Sequence, residues 1–198
     1  MDRRDVGGAL TMGGRSFAVI AGADGLALPE TPAEENRRAV ASGIMALPSF
    51  TDDDGQFPGS GGRGRIAGPA PGSPAARRAV AALHVALLTV AAAGALGQTG
   101  RVVPDGTFLA DPVHPALVAA LAPDTPVFAS REAAGVAAGA AMLAARAEDG
   151  AEDGAEDGTA PPVPVLERVA AACDARPARL CRRVAAPCGA GGQRWTGR

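Results

Sequence analysis

The sequence predicts a helix-rich α/β domain with a small parallel sheet, and three observations predict it. Two short Val-containing stretches, 101–103 and 126–128, are each followed by a helix-forming segment, and the repeat distance is about 25 residues. Strand–helix units of this kind lay parallel strands side by side through a crossover helix. Hydrophobic residues make up 47% of the chain but aromatics only 3%, and Ala fills 47 of the 198 positions. A core of Ala, Val and Leu is built from closely packed helices. A long apolar run, Ala79 to Leu96, supplies the helix around which such a core would form.

Taken in order, residues 9–22 open loosely at Gly13-Gly14 and then read as a short helix. Residues 33–47 read as a second helix, with Glu34 and Glu35 in the first turn, where the helix dipole favours acids, and Pro48 ending it. Residues 51–72 are a loop by composition. Ser73-Pro74 then gives an N-cap and a proline at the first helical position, opening a long helix to about Leu96 before Gly97. The first strand–helix unit pairs 101–103 with a helix from Pro112 to Leu121, capped by Asp111. The second pairs 126–128 with a helix from Arg131 to Arg146, capped by Ser130. In such sheets ligands bind at the loops after the strands, here Pro104–Asp111 and Ala129–Glu132.

The organisation is therefore a body over 9–146, a linker over 147–162 and a tail over 163–198. The linker contains AEDG three times, which reads as a solvated, disordered spacer. The tail carries seven Arg against Glu167 and Asp174, whereas the body is near neutral. Its Arg content raises nucleic acid as a partner, but no recognisable nucleic-acid fold accompanies it. The overall charge of −2 predicts no general attraction to nucleic acid or to an anionic membrane.

Composition excludes several chemistries. All 19 basic residues are Arg, so there is no P-loop lysine, no lysine Schiff base and no lysine general base. Cys173, Cys181 and Cys188 have neither zinc-ligand spacing nor the pattern of a disulfide scaffold. The N-terminus lacks the unbroken apolar stretch of a signal peptide, so the expected location is cytoplasmic. The run 79–96 approaches membrane-span length, but it is dominated by Ala, contains His84 and begins beside Arg77-Arg78. It reads as a buried helix.

Each candidate constellation has a plain reading beside it. Gly62-Arg63-Gly64-Arg65-Ile66-Ala67-Gly68 superficially resembles a dinucleotide loop but lacks the preceding strand and succeeding helix, so it reads as a mobile loop. Asp52-Asp53-Asp54 could gather a hard cation but lacks a metal-loop pattern, and reads as solvated. His84 and His114 have no nucleophile partner and no Gly-x-Ser-x-Gly elbow exists; His84 reads as a core or helix-surface histidine. Gly135 and Gly139, four apart in the 131–146 helix, imply close approach by a backbone or a ligand. The most informative stretch is Pro104-Asp105-Gly106-Thr107-Phe108-Leu109-Ala110-Asp111-Pro112. There a strand ends in a small-residue turn, Gly106 lets backbone approach a flat or anionic group, and helix amides lie just behind. A plain strand-to-helix turn explains the same residues.

The order of motifs resembles the C-terminal domain of FGGY-family carbohydrate kinases, especially the L-fuculokinase-like branch. The matching segments are MGGRSF (12–17), GIMALPSF (43–50), GRGRIAGP (62–69), AALHVALLTVAAAGALG (81–97), DGTFLADP (105–112), DTPVFAS (124–130) and AAGVAAGAAMLA (133–144). The resemblance implies a partial ribonuclease-H-like domain of the sugar kinase/Hsp70/actin superfamily. It also implies transfer of the γ-phosphoryl group of ATP to a sugar hydroxyl with Mg²⁺. DGTFLADP falls at the family's adenosine motif, so Asp105, Gly106 and Asp111 are the expected nucleotide-side residues, with Gly139 on the helix packed beneath. Asp111 stands where Asn is usual and Asp105 where Gly is common, which places extra negative charge near the nucleotide. The family's first domain, with its catalytic aspartate, has no counterpart here. The resemblance thus implies an adenine-nucleotide-binding half, catalytically incomplete alone, with a separately encoded N-terminal kinase half as its expected partner. The alternative is a non-catalytic interaction module that reuses the fold.

Overall fold

The computed structural model describes residues 7–97, 100–106, 111–130 and 166–170. The helix expected over 131–146, with Gly135 and Gly139, lies outside the described residues, as do residues 107–110, the AEDG linker and all three cysteines.

The first helix, α1 (Gly13–Leu26), starts at the predicted glycine pair but runs one turn further than expected. Gly22, at φ 67°, ψ 171°, breaks its helical geometry near the point where the sequence predicted an end. Helix α2 (Ala33–Ser42) carries Glu34 and Glu35 in its first turn. Arg37 and Arg38, one turn on, pair with them. The sequence predicted this helix to residue 47, but it stops five residues earlier. Gly43 adopts the left-handed conformation (φ 69°, ψ 17°) and its amide donates to the Val40 carbonyl, closing the helix. The chain then enters strand β1 (Met45–Leu47), paired antiparallel with β2 (Arg65–Ala67) in the register Met45 to Ala67, Ala46 to Ile66 and Leu47 to Arg65. The segment 51–72, expected to be all loop, thus contains a strand.

Helix α3 (Pro74–Ala95) agrees with the predicted boundaries within a residue. Ser73 is its N-cap, extended at φ −137°, ψ 160°, with its hydroxyl accepting from the Ala76 amide. Every residue from Arg78 to Leu88 is buried. By length and composition α3 could cross a membrane, yet it sits in the middle of the fold with other elements around it.

Helix α4 (Val113–Leu121) comes after the turn at Gly106. Val102 and Val127 form a parallel bridge, so 101–103 and 126–128 do lie side by side as predicted, although through one bridge rather than a full ladder. The second strand itself is β3 (Phe128–Ser130), paired antiparallel with β4 (Leu166–Arg168). The result is a helix-rich mixed fold with a few short strands.

Two apolar clusters share α3. Ile20 and Ala21 of α1, Ala39 of α2 and Ala46 of β1 pack on Ala79, Val80 and Ala81. Leu117, Val118 and Leu121 of α4, with Met45 and Val127, pack on Ala82, Leu83, Ala86 and Leu87. Met45 and Ala46 are consecutive residues of a strand and therefore point to opposite faces, so β1 feeds both clusters. No aromatic residue is among the buried apolar side chains of the described residues; Ala, Val, Leu and Ile fill the core with Met45, as the composition predicted.

Candidate functional site

The turn after Val102 is anchored by backbone hydrogen bonds. The Val102 amide donates to the Pro126 carbonyl at 3.0 Å, and the Phe128 amide donates to the Val102 carbonyl at 2.9 Å. The chain then passes through buried Pro104 to exposed Asp105. Gly106 is left-handed at φ 81°, and among the described residues, its chain neighbours aside, no heavy atom lies within 4 Å of where a Cβ would stand. The described residues leave one face of this backbone open, and its left-handed conformation is one that a non-glycine residue adopts only with strain. The Gly106 amide donates to the Asp105 carboxylate at 2.8 Å. Exposed Asp105 and half-buried Gly106 thus form a locally hydrogen-bonded turn shortly after the bridge residue Val102.

Asp111 is placed differently from the expected nucleotide contact. It is buried, and both carboxylate oxygens have protein partners. Oδ1 accepts from the Val113 amide at 3.1 Å, which is the predicted capping role at the start of α4. Oδ2 accepts from the Thr31 amide at 3.0 Å, the Thr31 hydroxyl at 2.6 Å and the Arg78 guanidinium at 3.2 Å. Arg78 also donates to the Thr31 hydroxyl at 3.2 Å and to the Gly25 carbonyl at 3.1 Å. Its guanidinium carbon lies 5.5 Å from the centre of the Phe17 ring. Arg78, Thr31 and Asp111 are 7%, 2% and 7% exposed. This node ties the end of α1, the connection to α2, the first turns of α3 and the entry to α4.

Sequence reasoning missed Arg78 and Thr31. Arg78 is one of a pair of charges at the start of an otherwise apolar helix, which was the available signal that its charge needs a buried partner. Nothing local marks Thr31, which meets Asp111 across 80 residues of sequence.

The other candidates resolve into architecture. His84 is buried with Nδ1 at 2.9 Å from the Ala46 carbonyl, so the neutral ring carries its proton on Nδ1. Burial pushes its pKa down, against the Ala46 carbonyl and the Asp54 charge, which favour the cation. Burial lowers His114 further, to about 4, against the opposing pull of Asp111. Both are neutral imidazoles of the helical core near neutral pH.

The three consecutive aspartates diverge. Asp52 pairs with Arg15, and Asp53 accepts from the Gly59 and Gly61 amides at 2.7 and 2.6 Å, which holds its pKa below the usual carboxylate range. Asp54 is fully buried rather than solvated, accepting from the Met12 amide at 2.7 Å. Among the described residues no three His, Cys, Asp or Glu side chains gather around a metal position. The glycine-rich segment predicted to be mobile is packed instead. A Cβ on Gly64 would lie 2.5 Å from the Phe50 ring, the Gly64 amide donates to the Ser49 carbonyl at 2.7 Å, and β2 begins at the next residue. Gly139 lies outside the described residues.

The chain as a whole is similar to known proteins. The family described as carbohydrate kinase FGGY, C-terminal domain, matches residues 1–153. Among solved structures, the crystal structure of a carbohydrate kinase from Novosphingobium aromaticivorans is similar, with a TM-score of 0.63 and 25% sequence identity over 90% of this chain. The chain spans 37% of that kinase's length. No curated protein matches.

Proposed function

Because the chain belongs to the carbohydrate kinase FGGY family, through that family's C-terminal domain, we propose that it forms the adenine-nucleotide side of an ATP-dependent sugar kinase. The observation that carries this reading is the left-handed backbone at Gly106, which the described residues leave uncrowded, four residues after the parallel bridge of Val102. A flat purine or a phosphate can approach such backbone without meeting a side chain of the described residues. Asp105 and Gly106 are the nucleotide-facing residues of the proposal. Asp111 supports the turn from inside the fold, and Gly139 belongs to the helix beneath it by family resemblance. The order of motifs from MGGRSF to DTPVFAS favours the L-fuculokinase-like branch.

Phosphoryl transfer is positioning plus charge stabilisation around the moving group. The chain supplies the nucleotide part of that arrangement; the sugar site and the base that accepts the hydroxyl proton belong to the remainder of the kinase, whether on this polypeptide or on a separately encoded half. The described aspartates do not form a cage for Mg²⁺. Mg²⁺ commonly keeps its waters and binds through substrate phosphates with one or two carboxylates, so it would arrive with the nucleotide. Within the proposal the chain alone binds ATP without phosphorylating sugar, and works in the cytoplasm, where ATP is abundant.

Isothermal titration of the full chain with ADP and with ATP·Mg²⁺ tests the reading. Dissociation constants between about 1 μM and about 1 mM are expected, the usual range for enzyme substrates. Absence of binding heat at millimolar nucleotide would overturn the nucleotide reading and favour an interaction module.

A further inference from the structure

A carboxylate at position 111, close in sequence to a turn that meets polyphosphate, would weaken nucleotide binding if its charge faced the ligand. The geometry around Asp111 prevents this. Three donors converge on Oδ2 and one on Oδ1, so the carboxylate is turned into the protein and matched by a buried guanidinium at 3.2 Å. An asparagine could not replace it here, because its amide nitrogen would face either the Val113 amide or the Thr31 and Arg78 donors. The carboxylate therefore fits its donor set, and Arg78 requires it.

The node also fixes the residue that opens α4. On the strand side, Val102 is held by the Pro126 carbonyl and the Phe128 amide. On the helix side, Asp111 is held by α3 through Arg78 and by the α1–α2 connection through Thr31. We propose that Arg78 and Thr31 are positioning residues for nucleotide binding: by gripping Asp111 they keep its charge inside the fold and hold the residue that opens α4. This rests on the nucleotide reading above.

The test uses the full chain and the fluorescent probe N-methylanthraniloyl-ADP. Thr31→Val removes the hydroxyl at nearly constant shape, with its hydrogen bonds to Asp111 and from Arg78, and is expected to weaken binding about tenfold or more. Thr31→Ser restores the hydroxyl and is expected to restore affinity to within about twofold. Leu83→Ala, a core change away from the node, is the control: it lowers thermal stability at least as much and leaves affinity unchanged. Arg78→Lys keeps the charge but loses the planar fork, and weakens binding if Thr31→Val does not fold. Folded Thr31→Val with wild-type affinity overturns the proposal, as does Arg78→Lys with wild-type affinity where Thr31→Val is unfolded. So does weakening that Thr31→Ser fails to rescue, or that Leu83→Ala reproduces. If the wild-type chain does not bind the probe, the nucleotide reading itself falls and takes this proposal with it, an outcome distinct from the others.

Discussion

At the scale of single residues, His114 carries a measurable consequence. Its imidazole is buried at the start of α4, and burial holds its pKa at about 4 against an ordinary value of 6.5. Between those two values the unfolded chain binds the proton and the folded chain does not, so the folded state loses stability as pH falls from 6.5 towards 4 and keeps it above 6.5. The full difference amounts to about 3 kcal/mol. His84, lowered in the same direction by burial, adds to this slope. Urea unfolding across this pH interval is expected to show a shallower dependence in His114→Gln than in the wild type, and an unchanged slope would contradict the assignment. Both histidines stand near apolar residues in the sequence, and for His84 that left a core or a helix-surface position open, of which the fold takes the core. The partners were not legible. His84 meets Ala46 and Asp111 meets Thr31 only after the chain has folded back over tens of residues, so local pattern located Asp111 as a helix cap and missed the ion pair that uses its other oxygen.

At the scale of elements, α3 was read almost to the residue because its signals are local: Ser73 as cap, Pro74 as first helical residue and an unbroken apolar run behind them. Removing the cap in Ser73→Ala should cost about 1 kcal/mol of stability, read from the denaturation midpoint, with no change in the unfolding cooperativity. A loss below a few tenths of a kcal/mol would mean that tertiary packing alone fixes the start of α3. The boundary between α2 and β1 was misread for an equally physical reason. The apolar residues from Ile44 to Leu47 suit a helix or a strand, and the choice is made by left-handed Gly43 and by pairing with β2 some twenty residues later. Likewise the 51–72 segment has the composition of a loop, yet Gly64 packs its backbone against Phe50 and leads into that paired strand.

At the scale of the whole molecule, α3 joins two clusters of small apolar side chains, and an alanine-rich, aromatic-poor composition is what such close packing requires. Fold class and family could be read from the sequence because they rest on the order of several motifs. The antiparallel pairing of β3 with β4 could not, since it joins segments separated by a low-complexity stretch. Lack of lysine, which excluded P-loop chemistry, is compatible with a site that meets its ligand through glycine backbone. The nucleotide reading stands or falls at that glycine. An ADP titration monitored by amide NMR of the isotopically labelled chain reports on it directly. The largest shift changes are predicted to fall on Gly106 and its immediate neighbours, saturating at about millimolar ADP or below. Unchanged Gly106 and neighbouring signals at saturating ADP, or changes confined to a distant surface, would contradict it.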